Sequence, residues 1–261
     1  MASDDESERA TPADHAIAAS IAWEAGELLV RLRTRLTAEG VDTATLKDEG
    51  DRQAHDLIME LLASRVAAGD AVLSEEGRDD PVRLGAERVW IVDPLDGTRE
   101  FGEPPRTDWA VHVALVVAGR PVAGAVALPA LEMVLGTAPA PVLPPAPDGP
   151  PRVIVSRSRP PAAATWLADH LGGALVELGS AGAKAMAVVR GEAEIYAHSG
   201  GQYEWDSCAP VAVAAAAGLH TSRLDGSPLV YNNDDPYLPD LLICRAELAA
   251  PALAALAAFE G

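Results

Sequence analysis

Positive charge is what the chain has least of. Its 20 lysines and arginines face 39 aspartates and glutamates, for a net charge of −19. No basic stripe remains to neutralise a polymer of phosphates, which excludes nucleic-acid polymers and anionic membranes as partners. Small phosphorylated molecules stay open if a bound cation supplies the missing charge. Cysteine is nearly absent too. Cys208 and Cys244 stand far apart, without metal-type spacing, and read as reduced core thiols of a cytoplasmic protein. No apolar run reaches membrane-spanning length. The segment Met1 to Thr11 is acidic and polar, unlike a signal peptide, so residues 1–12 read as a disordered leader. The six histidines, His15, His55, His112, His170, His198 and His220, form no metal-spaced pair, which argues against zinc hydrolysis. The absence of a Gly-x-Ser-x-Gly elbow and of a Walker-type loop removes support for serine acyl chemistry and nucleoside triphosphate binding.

What is present centres on residues 88–98. Val89, Trp90, Ile91 and Val92 form a β-branched and aromatic run that predicts a strand buried on both faces, stopped at Asp93. Pro94 keeps Asp93 out of the helical region, so the chain leaves extended and turns. Asp93 and Asp96 then share a small volume. Both Asp-Pro and Asp-Gly are also common turn pairs, but the surrounding acids favour chemistry. Two carboxylates so close repel unless a cation sits between them, and an all-oxygen ligand set suits a hard ion such as magnesium. Gly97 and Thr98 lead into a short helix whose first amides suit a phosphate. Upstream, Ser74-Glu75-Glu76-Gly77 closes a second short apolar stretch, Asp70 to Leu73, and brings two further acids to a strand end.

In chain order, Asp14 to Leu36 reads as an amphipathic helix. Leu46 to Gly50 breaks the pattern, and Asp51 opens a second helix, either as its N-cap or as a functional acid. Asp108 to Val117 and Pro121 to Leu128 read as a hairpin through Ala118-Gly119-Arg120, and Leu131 to Thr137 as a further strand. Residues 138–151, with seven prolines, read as a stiff linker between a first α+β lobe (13–137) and a second α/β lobe (152–261). Beyond the linker, strands are expected at Arg152 to Ser156, Ala174 to Leu178, Ala193 to His198 and Leu241 to Arg245. Helices are expected at Pro160 to Leu171, Ala181 to Arg190, Ser207 to Ala217 and Leu248 to Phe259. Asp206 stands before the alanine-rich third of these helices and reads as its N-cap, with one oxygen left for a metal. The whole is an α/β architecture of layers.

Asp93-Pro94-Leu95-Asp96-Gly97-Thr98, the preceding Glu75-Glu76 and the later Trp205-Asp206 resemble the signature set of the inositol monophosphatase superfamily of magnesium-dependent, lithium-sensitive phosphatases. The resemblance runs from about Asp14 to the C-terminus. Ser74-Glu75-Glu76, Thr98-Arg99-Glu100-Phe101, Val155-Ser156-Arg157-Ser158 and Glu204-Trp205-Asp206 are most similar to the 3'(2'),5'-bisphosphate nucleotidases of the actinobacterial CysQ type. The resemblance implies a layered αβαβα sandwich with two intimate lobes, compatible with a homodimer. It implies two or three magnesium ions: one on Glu75, Asp93 and the Leu95 carbonyl, a second on Asp93, Asp96 and Asp206, and a further one supported by Asp51. Thr98, hydrogen-bonded towards Glu75 or Asp51, would orient the attacking water. The activity implied is removal of the 3'-phosphate of adenosine 3',5'-bisphosphate, or of its sulfated form, in sulfate assimilation. Gly97, Thr98, Ser156, Arg157, Ser180, Lys184 and Asp206 would contact substrate, with Arg157 and Lys184 on the second phosphate and ribose. Arg157 reads equally well as a surface arginine.

Two rivals share these residues. One is an inositol-1-phosphate or fructose-1,6-bisphosphate phosphatase on the same site. The other is a non-catalytic phosphonucleotide sensor, against which the full set of acids with Thr98 argues.

Overall fold

A computed structural model describes residues 10–259. The N-terminal leader expectation falls mostly outside this range. Its last residues are ordered, because Thr11 caps the first helix reciprocally with Asp14 and Pro12 occupies the first turn. That helix, α1 (Pro12–Glu39), packs against α2 (Thr43–Arg65) over one face of a five-stranded sheet. The sheet holds β1 (Ala71–Ser74), β2 (Arg88–Asp96), β3 (Ala110–Val117), β4 (Arg120–Leu128) and β5 (Met133–Gly136), side by side in that order. The short helix α3 (Thr98–Phe101) follows β2. The second sheet has the order β7 (Ala174–Leu178), β6 (Arg152–Ser156), β8 (Ile195–Tyr203), β10 (Tyr237–Cys244), β9 (His220–Ser222). Its helices are α4 (Ala162–His170), α5 (Ala181–Val189), α6 (Glu204–Ala216) and α7 (Ala249–Ala257).

Side-chain alternation along the strands builds the layers. Trp90 and Val92 of β2, with Val111, Val113 and Leu115 of β3, face α1 and α2. Val89 and Ile91 face the other way, into a core shared with α5, α6 and the inner face of the second sheet, including Tyr196, Leu241 and Ile243. Val153, Val155, Ile195 and Ala197 face outwards onto α4 and α7. The result is the expected αβαβα sandwich, in which β2 is buried on both faces and α5 and α6 form a central layer common to both sheets.

Several boundaries differ from the sequence expectation. Helix α2 runs unbroken through Gly50, and its N-cap is Asp42, which accepts from Thr45 N at 2.9 Å. Asp51 therefore lies inside the helix and caps nothing. Strand β2 continues past Asp93 to Asp96, because Pro94, which has no N–H, falls in an irregular stretch of the β2–β3 ladder. Strand β9 is three residues long, too short for periodicity to reveal. Residues 138–151 carry no regular element and are held where the Arg245 guanidinium donates to the Pro144 carbonyl at 3.2 Å.

Gly50 sets how closely α2 approaches the end of β2. A Cβ there would lie 2.7 Å from Phe101 Cε1 and 2.9 Å from Leu95 Cδ2, both fully buried side chains. Alanine gains about 1 kcal/mol over glycine in a helix interior, whereas overpacking a closed core costs about 1–3 kcal/mol. The collision outweighs the propensity, so Gly50→Ala should lower the urea midpoint of the protein. A raised midpoint would show that α2 has room to spare.

Candidate active site

The sheet–helix junction gathers the acids. Ligand oxygens of Asp93, Asp96 and Asp206 all lie within 4.8 Å of one another. Asp93 and Asp96 come from the end of β2, Asp206 from the first turn of α6, and Glu75 from the turn after β1, which pairs in parallel with β2. Glu75 stands beside Asp93, close enough for the two carboxyls to interact. Asp206 is the third residue of α6 and not its N-cap. Its Oδ2 reaches back to accept the Tyr203 N–H at 2.7 Å, so it does close the helix start, from inside.

The four acids are not equivalent. Asp96 accepts three bonds from the start of α5, Ser180 Oγ at 2.5 Å, Gly182 N at 2.5 Å and Ala181 N at 3.1 Å, and His112 Nε2 of β3 lies 3.2 Å from it as an ionic contact. Burial works against its charge, but His112, Ser180 and Lys184 outweigh it and bring the carboxyl down to about 2. The protein itself compensates this acid. A role for Asp96 as a ligand of the second ion would use the lone pairs these donors leave. Asp93 differs: its Oδ1 accepts the Leu95 N–H at 3.0 Å, while its Oδ2 is buried with no hydrogen-bond partner, His112 Nδ1 coming only to 3.9 Å. Burial first, then Glu75, Asp96 and Asp206, push its pKa well above the usual carboxylate range. Desolvation and the Asp206 charge raise Glu75 to about 7, although much of its side chain is open to solvent. Burial and Asp96 raise Asp206 to about 7. An orphaned carboxylate oxygen among acids that resist ionising is what a divalent cation would satisfy, so the residues fit a metal.

Thr98 begins α3 after Gly97, which adopts φ +87° where a Cβ would strike Ser180 Cβ at 2.8 Å. The Thr98 hydroxyl lies 3.1 Å from both Asp51 Oδ1 and the Leu95 carbonyl, so its partner is Asp51 and not Glu75. Burial and the Glu76 charge lift Asp51 to about 7.

The residues expected on the second phosphate are otherwise engaged. Arg157 donates to Glu100 Oε1 at 2.8 Å and Glu103 Oε2 at 2.7 Å, which satisfies its fork with two carboxylates. Lys184 is buried and donates to the Gly179 and Ser180 carbonyls at 2.6 and 2.5 Å. Burial lowers its pKa to about 8. It braces the turn that presents Ser180, while Ser156 Oγ faces Ser158 Oγ at 3.4 Å. Sequence reasoning missed His112, set aside with the other histidines for want of metal spacing, and Asp108, which accepts the Gly179 N–H at 2.6 Å. His112 had a visible signal: it is the one polar residue of the strand Ala110–Val117.

Two sheets around a shared helical layer, with clustered acids where they meet, define a layered α/β fold with a candidate metal site, and the comparisons with known proteins specify the family. The chain belongs to the inositol monophosphatase family, whose model matches residues 13–139 and 153–258. A Mycobacterium tuberculosis protein named 3'-phosphoadenosine 5'-phosphate phosphatase is 51% identical over 248 residues, covering 90% of each chain. One of the same name from Mycobacterium leprae is 49% identical, covering 95% of this chain and 96% of its own. Among solved structures, CysQ from Bacteroides thetaiotaomicron superposes with a TM-score of 0.72 at 28% identity, over 88% of this chain and 96% of that one. Among the described residues no helix is long and apolar enough to cross a membrane.

The raised acids make stability depend on pH. Asp51, Glu75 and Asp206 sit at about 7 when folded, against 3.8, 4.5 and 3.8 ordinarily. Each binds its proton more tightly in the folded state, so raising the pH between the two values favours unfolding. His198, lowered to about 4 by burial, acts oppositely below its ordinary 6.5, but it is one group against three. In chelator the melting temperature should therefore fall by several degrees between pH 5 and 7.5, and saturating divalent metal should abolish that fall. A metal-free melting temperature that rises across this window would refute the crowding of these acids.

Proposed function

We propose that the protein is a magnesium-dependent phosphatase that removes the 3'-phosphate of adenosine 3',5'-bisphosphate, an activity that would serve sulfate assimilation. The reaction rests on one observation, the buried oxygen of Asp93 that no hydrogen bond satisfies, beside Glu75, Asp96 and Asp206 and close to a threonine aligned on an acid. The substrate rests on the names of the mycobacterial relatives at about half identity.

Glu75, Asp93, the Leu95 carbonyl, Asp96 and Asp206 would hold the magnesium ions, with Asp51 supporting a further one. The ions would supply the positive charge that a chain of net −19 lacks and would acidify a water. Thr98, fixed by Asp51 and the Leu95 carbonyl, orients that water towards phosphorus. Asp51, at about 7, is matched to receive its proton through the Thr98 hydroxyl near neutral pH. The Gly97–Thr98 backbone and Ser180 line the phosphate position.

A second reading, an inositol monophosphate phosphatase on the same acids, draws support from Arg157 and Lys184, because neither offers a free cation for a second phosphate. Phosphate release from adenosine 3',5'-bisphosphate, inositol 1-phosphate and fructose 1,6-bisphosphate, compared by kcat/KM, separates the two readings. The nucleotide should be turned over best, chelator should abolish all activity, and lithium should inhibit. A preference for inositol 1-phosphate would transfer the assignment to the second reading.

Asp93→Asn and Asp206→Asn should each lose turnover by about a thousandfold or more, in line with loss of a metal ligand, while melting no lower than wild type in chelator. Near-normal turnover in either would remove that acid from the metal site. Arg157→Ala strands Glu100 and Glu103 beside the cleft, so its loss of kcat/KM should fall on all three substrates. A loss confined to the nucleotide would restore Arg157 to the second phosphate.

A further inference from the structure

His112 is fully buried on β3, directly opposite Asp93 in the β2–β3 pairing. Its Nδ1 lies 3.0 Å from the Trp205 carbonyl, so Nδ1–H donates across to the first turn of α6. That carbonyl belongs to the peptide joining Trp205 to Asp206. On its other side Nε2 faces Asp96 Oδ2 at 3.2 Å. One imidazole thus touches the strand pair that carries Asp93 and Asp96 and the backbone that carries Asp206. Further along α6, contacts with the first sheet are apolar, as where Ala209 and Ala212 close on Gly124 of β4. The first turn itself is otherwise tied to residues 232–236, where the Glu204 carboxylate accepts the Asn232 and Asn233 amides at 2.6 and 2.8 Å, and those bonds do not set its height against β3. The space for the ring is made by Gly182 at the start of α5, where a Cβ would lie 2.0 Å from Nε2 and 2.9 Å from Cε1.

We propose that His112 is a positioning residue that holds Asp206 in register with Asp93, by tying β3 to the Trp205 carbonyl, and that Gly182 is required because the imidazole fills its place. The idea rests on the metal reading of the site given above. It assigns the histidine no contact with substrate and no ligand bond. Its effect is on spacing: without the tie the first turn of α6 is placed by Glu204, which bonds Asn232, Asn233 and Pro236, and by its apolar packing rather than by β3, and the carboxylates no longer converge on one ion.

Two isosteric replacements separate the two ends of the ring. Asparagine keeps an amide donor where Nδ1 sits and loses the group facing Asp96. Glutamine carries its donor towards the Nε2 position and loses the Trp205 bond. Mn2+ binding to the full-length protein, followed by electron paramagnetic resonance without substrate, reads the spacing directly. His112→Gln should weaken Mn2+ binding by about tenfold or more, the range for residues that orient metal ligands, while His112→Asn, which keeps the Trp205 bond and gives up only the contact with Asp96, should lose distinctly less. Gly182→Ala should weaken binding in the wild-type background and far less in the His112→Asn background, where Nε2 and Cε1 are gone.

Equal losses in the asparagine and glutamine variants, or additive losses with Gly182→Ala, would overturn the proposal. So would lowered melting temperatures with unchanged Mn2+ affinity, which a merely structural histidine predicts. Should His112→Gln fail to fold, the Gly182→Ala pair decides alone. A wild type that binds no Mn2+ would overturn the proposed function and this tie together, whereas a wild type that binds it no better than His112→Gln overturns the tie only.

Discussion

Like charge held at close quarters is the constraint on which the molecule turns. Three carboxylates converge within 4.8 Å, and a fourth, Glu75, stands beside Asp93. Buried, such a group ionises only with compensation. The structure divides the burden. Asp96 receives the amides at the start of α5, the Ser180 hydroxyl and the His112 ring, while Asp93 keeps one oxygen without any donor. The rest of the site follows from that division. The glycines at 97 and 182 let backbone and ring approach the acids, Lys184 braces the Gly179–Ser180 turn, and Asp51 is left to hold Thr98.

The electrostatic cost is carried by a helical layer that both sheets share. The starts of α5 and α6 meet at the acids, so the positive ends of two helix dipoles point into the crowded region. The apolar flanks of the same helices supply the central core. Burial in that core raises the carboxyl pKa values and also fixes the geometry, so chemistry and packing rest on the same residues.

Much of this was legible in the sequence, and the failures have physical reasons. Strand β2 announced itself because an apolar run with no polar face has to be covered twice, and both cores cover it. Glu75, Asp93 and Asp96 were readable as acids at strand ends, and Asp206 as an acid at a helix start. Asp51 passed for a helix cap because Gly50 looks like a helix breaker until Phe101 and Leu95 are seen against it. The start of α6 was placed three residues late, at Asp206, because its true N-cap, Tyr203, is not a capping residue type. Arg157 resembled a free phosphate ligand because its partners, Glu100 and Glu103, lie more than fifty residues earlier in the chain, a distance at which no local pattern operates. His112 went unread because ligand spacing is the wrong signal for it, and the informative fact was a polar side chain in a strand with no exposed face.

The shared layer also bears on how the chain is made. Val89, Ile91, Ala114, Val116, Val126 and Leu128 form the inner face of the first sheet, and the helices that cover it lie beyond residue 180. During synthesis the first half emerges well before its cover. A nascent chain of some 140 residues therefore carries a sticky, open sheet face until α5 and then α6 leave the ribosome, a window in which chaperone capture competes with self-association. The last acid of the cluster arrives with that cover, so the completed cluster marks a chain that has escaped this hazard.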